Sequence, residues 1–225
     1  MLVVEQMNGQ VLLKSDPPRF ASAFYPAALN ERVPRLAFLG TLQGANARRG
    51  LYWTTLDLAG PHLVDYVGIE DGRCDWSPDA GALVYEKERQ VYVFDVAANS
   101  RRLLATGSDP TWSPEGDRIA FRGPHGEASL VTVDGAPLSW PLGKHLPISP
   151  IQWSPDGKFV SFSEAIPGTF KIPYFSAFSR LVVARVEDGS VITVREFGTE
   201  PVGEQSFSWI VQYPQFCKDC KKVVD

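Results

Sequence analysis

Cysteine is scarce in this chain, with 3 in 225 residues. An odd count without a secretory leader argues against a disulfide framework. Cys74 reads as a small buried apolar residue, and Cys217-Lys218-Asp219-Cys220 as two free thiols. That spacing alone is half a zinc site or a redox pair. No second cysteine pair exists, and the histidines, His62, His125 and His145, are scattered. No metal and no cofactor are therefore expected. Long apolar runs are missing too: none approaches the roughly 18 residues of a membrane span. Met1-Leu2-Val3-Val4-Glu5 has no charged start, apolar core or small-residue cleavage site. A cytoplasmic location is the expectation for the chain as given. A surplus of positive charge is also lacking, with 22 Lys plus Arg against 26 Asp plus Glu and a net charge of -4. That argues against a nucleic-acid partner, which calls for a basic stripe.

What is present is a phrase repeated three times. Trp76-Ser77-Pro78-Asp79, Trp112-Ser113-Pro114-Glu115-Gly116 and Trp153-Ser154-Pro155-Asp156-Gly157 read as copies of one turn. Pro presets φ at the second turn position, and Gly accepts a positive φ near its end. An aromatic closes an apolar run nine residues after each Trp: Leu83-Val84-Tyr85, Ile119-Ala120-Phe121 and Val160-Ser161-Phe162. Self-similarity at a period of about 20–50 residues marks stacked or radial repeats. The second copy predicts four short antiparallel strands: 109–112, 118–121, 129–133 and 137–140. That is the pattern of one propeller blade. Cys74, Pro110 and Ile151 stand two before each Trp and share its strand face, which is expected to pack between neighbouring blades. In the first copy Ala80 occupies the Gly position, so that turn is expected to be reshaped.

The spacing is 36 residues from Trp76 to Trp112, 41 to Trp153 and 56 to Trp209. An insertion at about 165–179 accounts for the excess. Upstream, Phe24-Tyr25-Pro26 stands in for the Trp-Ser-Pro of a degenerate copy, with Arg35-Leu36-Ala37-Phe38 as its second strand. Asn8-Gly9 predicts a hairpin joining 2–7 to 10–13. That hairpin matches the last two strands of a blade, and residues 206–224 match the first two. The fold class is all-β, a single propeller domain over residues 1–225. Its blades are expected at about 20–67, 71–106, 108–142 and 147–198, with a fifth split between 203–225 and 1–15. Joining the two halves covers exposed strand edges. The alternative is a fragment of a six- or seven-bladed ring.

Trp-Ser-Pro-Asp-Gly followed by an Ile-Ala-Phe-like run and a Leu-Tyr-Val-Phe-Asp-like strand resembles the TolB-type β-propeller repeat. It is also similar to the propeller domains of prolyl-oligopeptidase-type peptidases. The resemblance covers about residues 20–210. It implies the fold and, by analogy with TolB, a periplasmic or cell-envelope location as the alternative. The peptidase relatives carry a Gly-x-Ser-x-Gly elbow that is absent here, so no nucleophile is assigned.

The recurring carboxylates Asp79, Glu115 and Asp156, and Asp95, Asp134 and Asp188, are read as turn residues bonding their own backbone. No catalytic residue is assigned. Binding is placed on the loops of one ring face, because loops on a rigid scaffold usually carry recognition. These loops hold Arg48 and Arg49, Lys87 and Arg89, His125, and the insertion with Phe170, Tyr174, Phe175 and Phe178. The insertion is aromatic and almost uncharged, the composition of an interface anchor. The expected function is a non-catalytic, monomeric binding or scaffold module for a protein or peptide partner. The alternatives are the propeller of a prolyl-oligopeptidase-like hydrolase and an enzyme that uses the channel for a small molecule or sugar.

Overall fold

The structure is a computed structural model, and it describes residues 2–5, 11–15, 20–30, 33, 35–42, 48–55, 61–69, 71–165 and 179–197. Among them there are strands and no helix. β1 (Leu2–Glu5) and β2 (Val11–Ser15) pair as an antiparallel hairpin, with Leu2 opposite Ser15. The remaining strands form four four-stranded antiparallel sheets, each a meander in chain order.

The first sheet is β3 (Phe20–Asn30), β4 (Arg35–Leu42), β5 (Arg49–Thr55) and β6 (His62–Tyr66). The second is β7 (Cys74–Trp76), β8 (Ala82–Lys87), β9 (Gln90–Asp95) and β10 (Ser100–Thr106). The third is β11 (Ser108–Trp112), β12 (Arg118–Arg122), β13 (Ala128–Thr132) and β14 (Pro137–Leu138). The fourth is β15 (Gln152–Trp153), β16 (Phe159–Ala165), β17 (Ser179–Arg185) and β18 (Val191–Phe197). Residues 203–225, assigned from sequence to the closing half-blade, lie outside the described residues, as does the body of the insertion, 166–178.

The core lies between sheets. Trp76 packs with Ala37, Leu39, Leu51 and Val64 of the first sheet and with Leu83, Tyr85 and Phe94 of its own. Trp112 repeats this against Val84, Val91 and Val93 of the second sheet. Trp153 does so against Ala120, Ala128 and Leu130 of the third. Successive residues of a strand point to opposite faces. Leu83 and Tyr85 therefore face the sheet before, while Val84 faces the sheet after. This is why the second strand of each repeat reads as an unbroken apolar run rather than an alternating one. Truncating a Trp in such a place costs on the order of 3–5 kcal/mol.

The turn after each Trp is knit by a serine. Ser77 Oγ donates to Asp79 at 2.6 Å and accepts the Ala82 N–H at 2.9 Å. Ser154 does the same with Asp156 at 2.6 Å and the Phe159 N–H at 2.9 Å. The Ser77 hydroxyl, with the Gly81 N–H, holds the Asp79 carboxyl below the usual carboxylate range. In the second copy the partner is not Glu115: Ser113 Oγ donates to Asp117 at 2.9 Å and accepts the Arg118 N–H at 3.1 Å. The longer Glu115 side chain overshoots the serine and lies against Gly157 of the next turn. Asp95, Asp134 and Asp188 each sit in the turn between third and fourth strands. Asp95 accepts the Ala98 N–H, Asp134 the Thr132 hydroxyl and Asp188 the Ser190 N–H.

Two sequence expectations are corrected. The turn at Ala80 is not reshaped. Ala80 takes φ +56°, the left-handed conformation that Gly116 (+78°) and Gly157 (+66°) take at the same place. It keeps the same N–H bond to the serine carbonyl three residues back, at 2.8 Å. An L-residue there costs roughly 1–2 kcal/mol, and the methyl is fully buried against the first sheet. The degenerate copy is also displaced. Phe24-Tyr25-Pro26 lies inside β3, whose bulges absorb Pro26. Leu29 stands opposite Leu36, as Trp112 stands opposite Ile119. Leu29-Asn30 is thus the register equivalent of Trp-Ser.

Gly107 alone joins β10 to β11. A Cβ there would lie 2.4 Å from the Arg122 carbonyl oxygen and 2.5 Å from the Phe121 ring. Among the described residues no helix is long and apolar enough to cross a membrane.

Removing the hydroxyl of Ser113, a residue 0% exposed, leaves the Arg118 N–H without its acceptor and takes one of the donors from Asp117, which keeps Arg118 Nε at 3.0 Å. Ser113→Ala is expected to lower unfolding free energy by about 1–3 kcal/mol. Glu115→Gln is expected to change it by less than about 0.5 kcal/mol. Urea melts of the two variants check this, and equal losses would return the turn role to Glu115.

Candidate functional site

The first strands of three successive sheets, β7, β11 and β15, wall a cavity of about 1030 Å³. The residues before the first two repeat Trp side chains reach toward the next sheet. Asp75 accepts the Trp112 N–H at 2.8 Å, and Thr111 donates to the Ile151 carbonyl at 2.9 Å. These bonds hold neighbouring first strands in register around the cavity. Burial pushes the Asp75 carboxyl up to about 6, although N–H groups of Trp112 and Trp76 pull it down. Burial, with Asp75 beside it, raises the Cys74 thiol, so it stays protonated and behaves as packing.

One end of the cavity opens among the connections from fourth to first strands and from second to third. This end is built on buried carboxylates. Asp109 is 4% exposed, with one oxygen 3.0 Å from Arg73 and the other 2.6 Å from Arg122. Its N–H donates to Glu86 at 3.0 Å. Asp109 also precedes a proline and has φ +54°, where residues before proline normally stay extended. The side-chain bonds over-determine that strained backbone, a condition that concentrates at functional positions. Burial, and then the nearby charge of Asp109, raise the Glu86 carboxyl above its ordinary value.

The pattern recurs between the other sheets. Asp65, 5% exposed, accepts the Tyr85 hydroxyl at 3.0 Å, Lys87 at 3.1 Å and Arg101 at 2.6 Å. Burial and the Asp65 charge raise the Tyr85 phenol, so it stays a hydrogen-bond donor. Glu164 accepts Arg180 at 2.6 and 2.9 Å and lies 2.9 Å from His145 Nδ1. Glu164 and Arg180 are opposite each other in the β16–β17 register, where the insertion leaves the sheet.

The sequence-assigned residues fall around this frame. Arg48 is exposed and lies over the Tyr66 ring at 4.1 Å. Arg49 donates to the Gly68 carbonyl and lines the cavity. Lys87 is held by Asp65. Arg89 is exposed beside the Gly107 link, whose N–H its carbonyl accepts at 2.9 Å. His125 is exposed in the next loop, apart from the others. Phe170, Tyr174, Phe175 and Phe178 lie outside the described residues. Sequence reasoning missed Asp65, Glu86, Asp109 and Glu164. A carboxylate one or two places after the closing aromatic, in Tyr85-Glu86 and Phe162-Ser163-Glu164, was an available signal for Glu86 and Glu164, while nothing in the repeat pattern marks Asp65 or Asp109. Among the described residues no group of three or more His, Cys, Asp or Glu is placed to hold a metal ion.

Radial four-stranded meanders with their first strands around a shared cavity define a β-propeller. No protein-family model and no curated protein matches the chain. Solved structures do. A TolB structure from Agrobacterium tumefaciens is 22% identical over 77% of this chain and 65% of that one, with a TM-score of 0.55. TolB from Acinetobacter baumannii is 16% identical over 82% and 48%, with a TM-score of 0.55. The β-propeller domain of the Trilobed protease from Pyrococcus furiosus is 14% identical over 79% and 58%, with a TM-score of 0.53. The fold is that of the TolB-like β-propellers, shared by peptidase propeller domains. The chain spans 65% and 48% of the length of the two TolB structures.

A carboxyl whose folded value exceeds its unfolded value stabilises the fold below the unfolded value. That contribution is lost as pH rises through the folded one. For Asp75 the loss falls between about pH 4 and 6. One pKa unit is worth about 1.4 kcal/mol, so Asp75→Asn is expected to raise stability by about 1–3 kcal/mol at pH 8. The difference should vanish near pH 4. Thermal melts across pH check this, and a pH-independent difference would show that Asp75 is not the titrating group.

Proposed function

We propose that the protein is a non-catalytic binding module that holds a protein or peptide partner on its loop face, over the mouth of the cavity. The observation that carries this reading is apolar. Ile69 is 89% exposed and Leu146 55%, and both stand in connections between a fourth and a first strand, where Ile69 also lines the cavity. Exposed apolar side chains on the rigid connections of one face suit recognition rather than packing. The insertion departs between Ala165 and Ser179, which pair at the end of the β16–β17 ladder, and its Phe170, Tyr174, Phe175 and Phe178 give it the composition of an interface anchor. The buried pairs of Asp65, Asp109 and Glu164 give the surface a fixed base.

A second reading is supported by the likeness to an acylaminoacyl peptidase from Pyrococcus horikoshii. That structure is 13% identical over 78% of this chain and 32% of its own, with a TM-score of 0.54. Under it, the propeller gates a hydrolase domain. Capture of a protein that reacts with a serine-hydrolase probe would favour this reading over a purely scaffolding one.

The test compares three forms of the full chain as bait in source-cell lysate: wild type, Ile69→Ser/Leu146→Ser, and a deletion of residues 166–178. A partner held by wild type and lost by either variant, with an unchanged melt, is the expected outcome. Equal recovery with all three forms, or none with wild type, would overturn the reading.

A further inference from the structure

We infer that the loop face takes an acidic protein segment, one in which carboxylates alternate with apolar side chains. This rests on the binding-module reading and specifies the partner's chemistry. The whole chain carries net charge -4, yet the charges on this face are layered by sign. The carboxylates lie beneath: Asp65, Asp109 and Glu164 have side chains 4–6% exposed. The cations that pair with them are more exposed, with Arg101 48%, Arg73 46%, Arg122 32%, Arg180 32% and Lys87 21% exposed. Each carboxylate thus acts as an anchor that fixes a cation at the surface.

Donor capacity remains on that outer layer. Arg122 commits Nη2 to Asp109 and Nε to Ser108. Arg180 commits Nε and Nη2 to Glu164. A guanidinium carries five N–H donors in a planar fork suited to carboxylate. Exposed cations widen the surface: Arg48, Arg89 and Lys144. Two acidic groups near the rim, Asp71 and Glu127, are engaged by backbone N–H groups of the loops. Asp71 accepts the Gly68 and Glu88 N–H groups at 2.9 and 3.0 Å, and Glu127 accepts the His125 N–H at 2.9 Å. The paired carboxylates Asp65, Asp109 and Glu164 thus lie behind their cations, while on the same rim Glu88 stays exposed beside Arg89.

The far field of such layers largely cancels, so recognition acts at contact rather than through long-range steering. That disfavours a nucleic acid, whose binding rests on the summed field of a basic patch. Ile69, exposed in the β6–β7 connection, and Leu146 and Ile148, exposed in the β14–β15 connection, ask for apolar side chains between the partner's carboxylates. A phosphate backbone does not supply them.

The experiment is fluorescence anisotropy at physiological ionic strength with the full chain and three labelled probes. These are a synthetic peptide alternating Glu with Leu and Phe, the same peptide with Gln for Glu, and a single-stranded oligonucleotide. The Glu peptide is expected to bind at least about tenfold more tightly than the other two, a difference of about 1.4 kcal/mol. Arg48→Glu/Arg89→Glu/Lys144→Glu alters exposed positions only and should keep the wild-type melt while losing about tenfold in Glu-peptide affinity. Equal binding of the Glu and Gln peptides, no binding of the Glu peptide, preference for the oligonucleotide, or an unaffected triple variant would each overturn the inference. A lysate partner retained by the triple variant but lost by Ile69→Ser/Leu146→Ser would overturn it too, while leaving the binding-module reading in place.

Discussion

Every described interface between sheets depends on one contact: the repeat Trp of a first strand lying on the sheet before it. Trp76, Trp112 and Trp153 occupy the same place in three separate apolar clusters. No single sheet buries both of its faces alone. A sheet becomes stable only when the next one supplies its Trp and receives the forward-facing residues of the last, such as Val84 or Ala120. Stability is then a sum over neighbours, as in other repeat proteins. The serine-carboxylate turn serves the same contact, because it sets the angle at which the chain leaves the Trp and returns as the second strand.

Once these interfaces are fixed, the loop ends of the strands have nowhere to move. Charged residues placed there sit where packing from both sides removes water from one end of the side chain and leaves the other wet. That is the origin of the layered pairs at Asp65, Asp109 and Glu164. Burying a carboxylate is costly unless it is paired and bonded, and each of these has two or more donors. The strained backbone of Asp109 is held by the same bonds.

Much of the fold was legible because the repeat states it three times. Leu83-Val84-Tyr85 and its copies announce a strand buried on both faces, and the shared Trp-Ser-Pro announces the turn. Legibility failed where one copy departs. Phe24-Tyr25-Pro26 resembles the phrase, but the register is set by Arg35-Leu36-Ala37-Phe38, whose alternation selects Leu29 as the Trp equivalent. Ala80 hid its turn because a buried methyl favours the site even at positive φ. Glu115 misled by resembling Asp79, when one more methylene takes its carboxyl past the serine. The candidate surface was only half legible. Arg48, Lys87 and Arg89 are visible as loop charges. Glu86, Asp109 and Glu164 are not, because whether a carboxylate is buried depends on a neighbouring sheet tens of residues away.

The single-residue link at Gly107 has a mechanical consequence. The first strand of the third sheet follows the last strand of the second with no slack, and the Gly107 N–H is tied to the Arg89 carbonyl. Between the third and fourth sheets the link is longer, residues 139–151, but it is stitched into the seam: Trp140, Leu142 and Ile151 are buried there, and the Ile148 N–H donates to the Ser163 carbonyl at 2.8 Å. One junction is thus made rigid by brevity and the other by packing, so an added residue beside Gly107 would shift the third sheet against the second, whereas one in the exposed part of 139–151 has surface to bulge into.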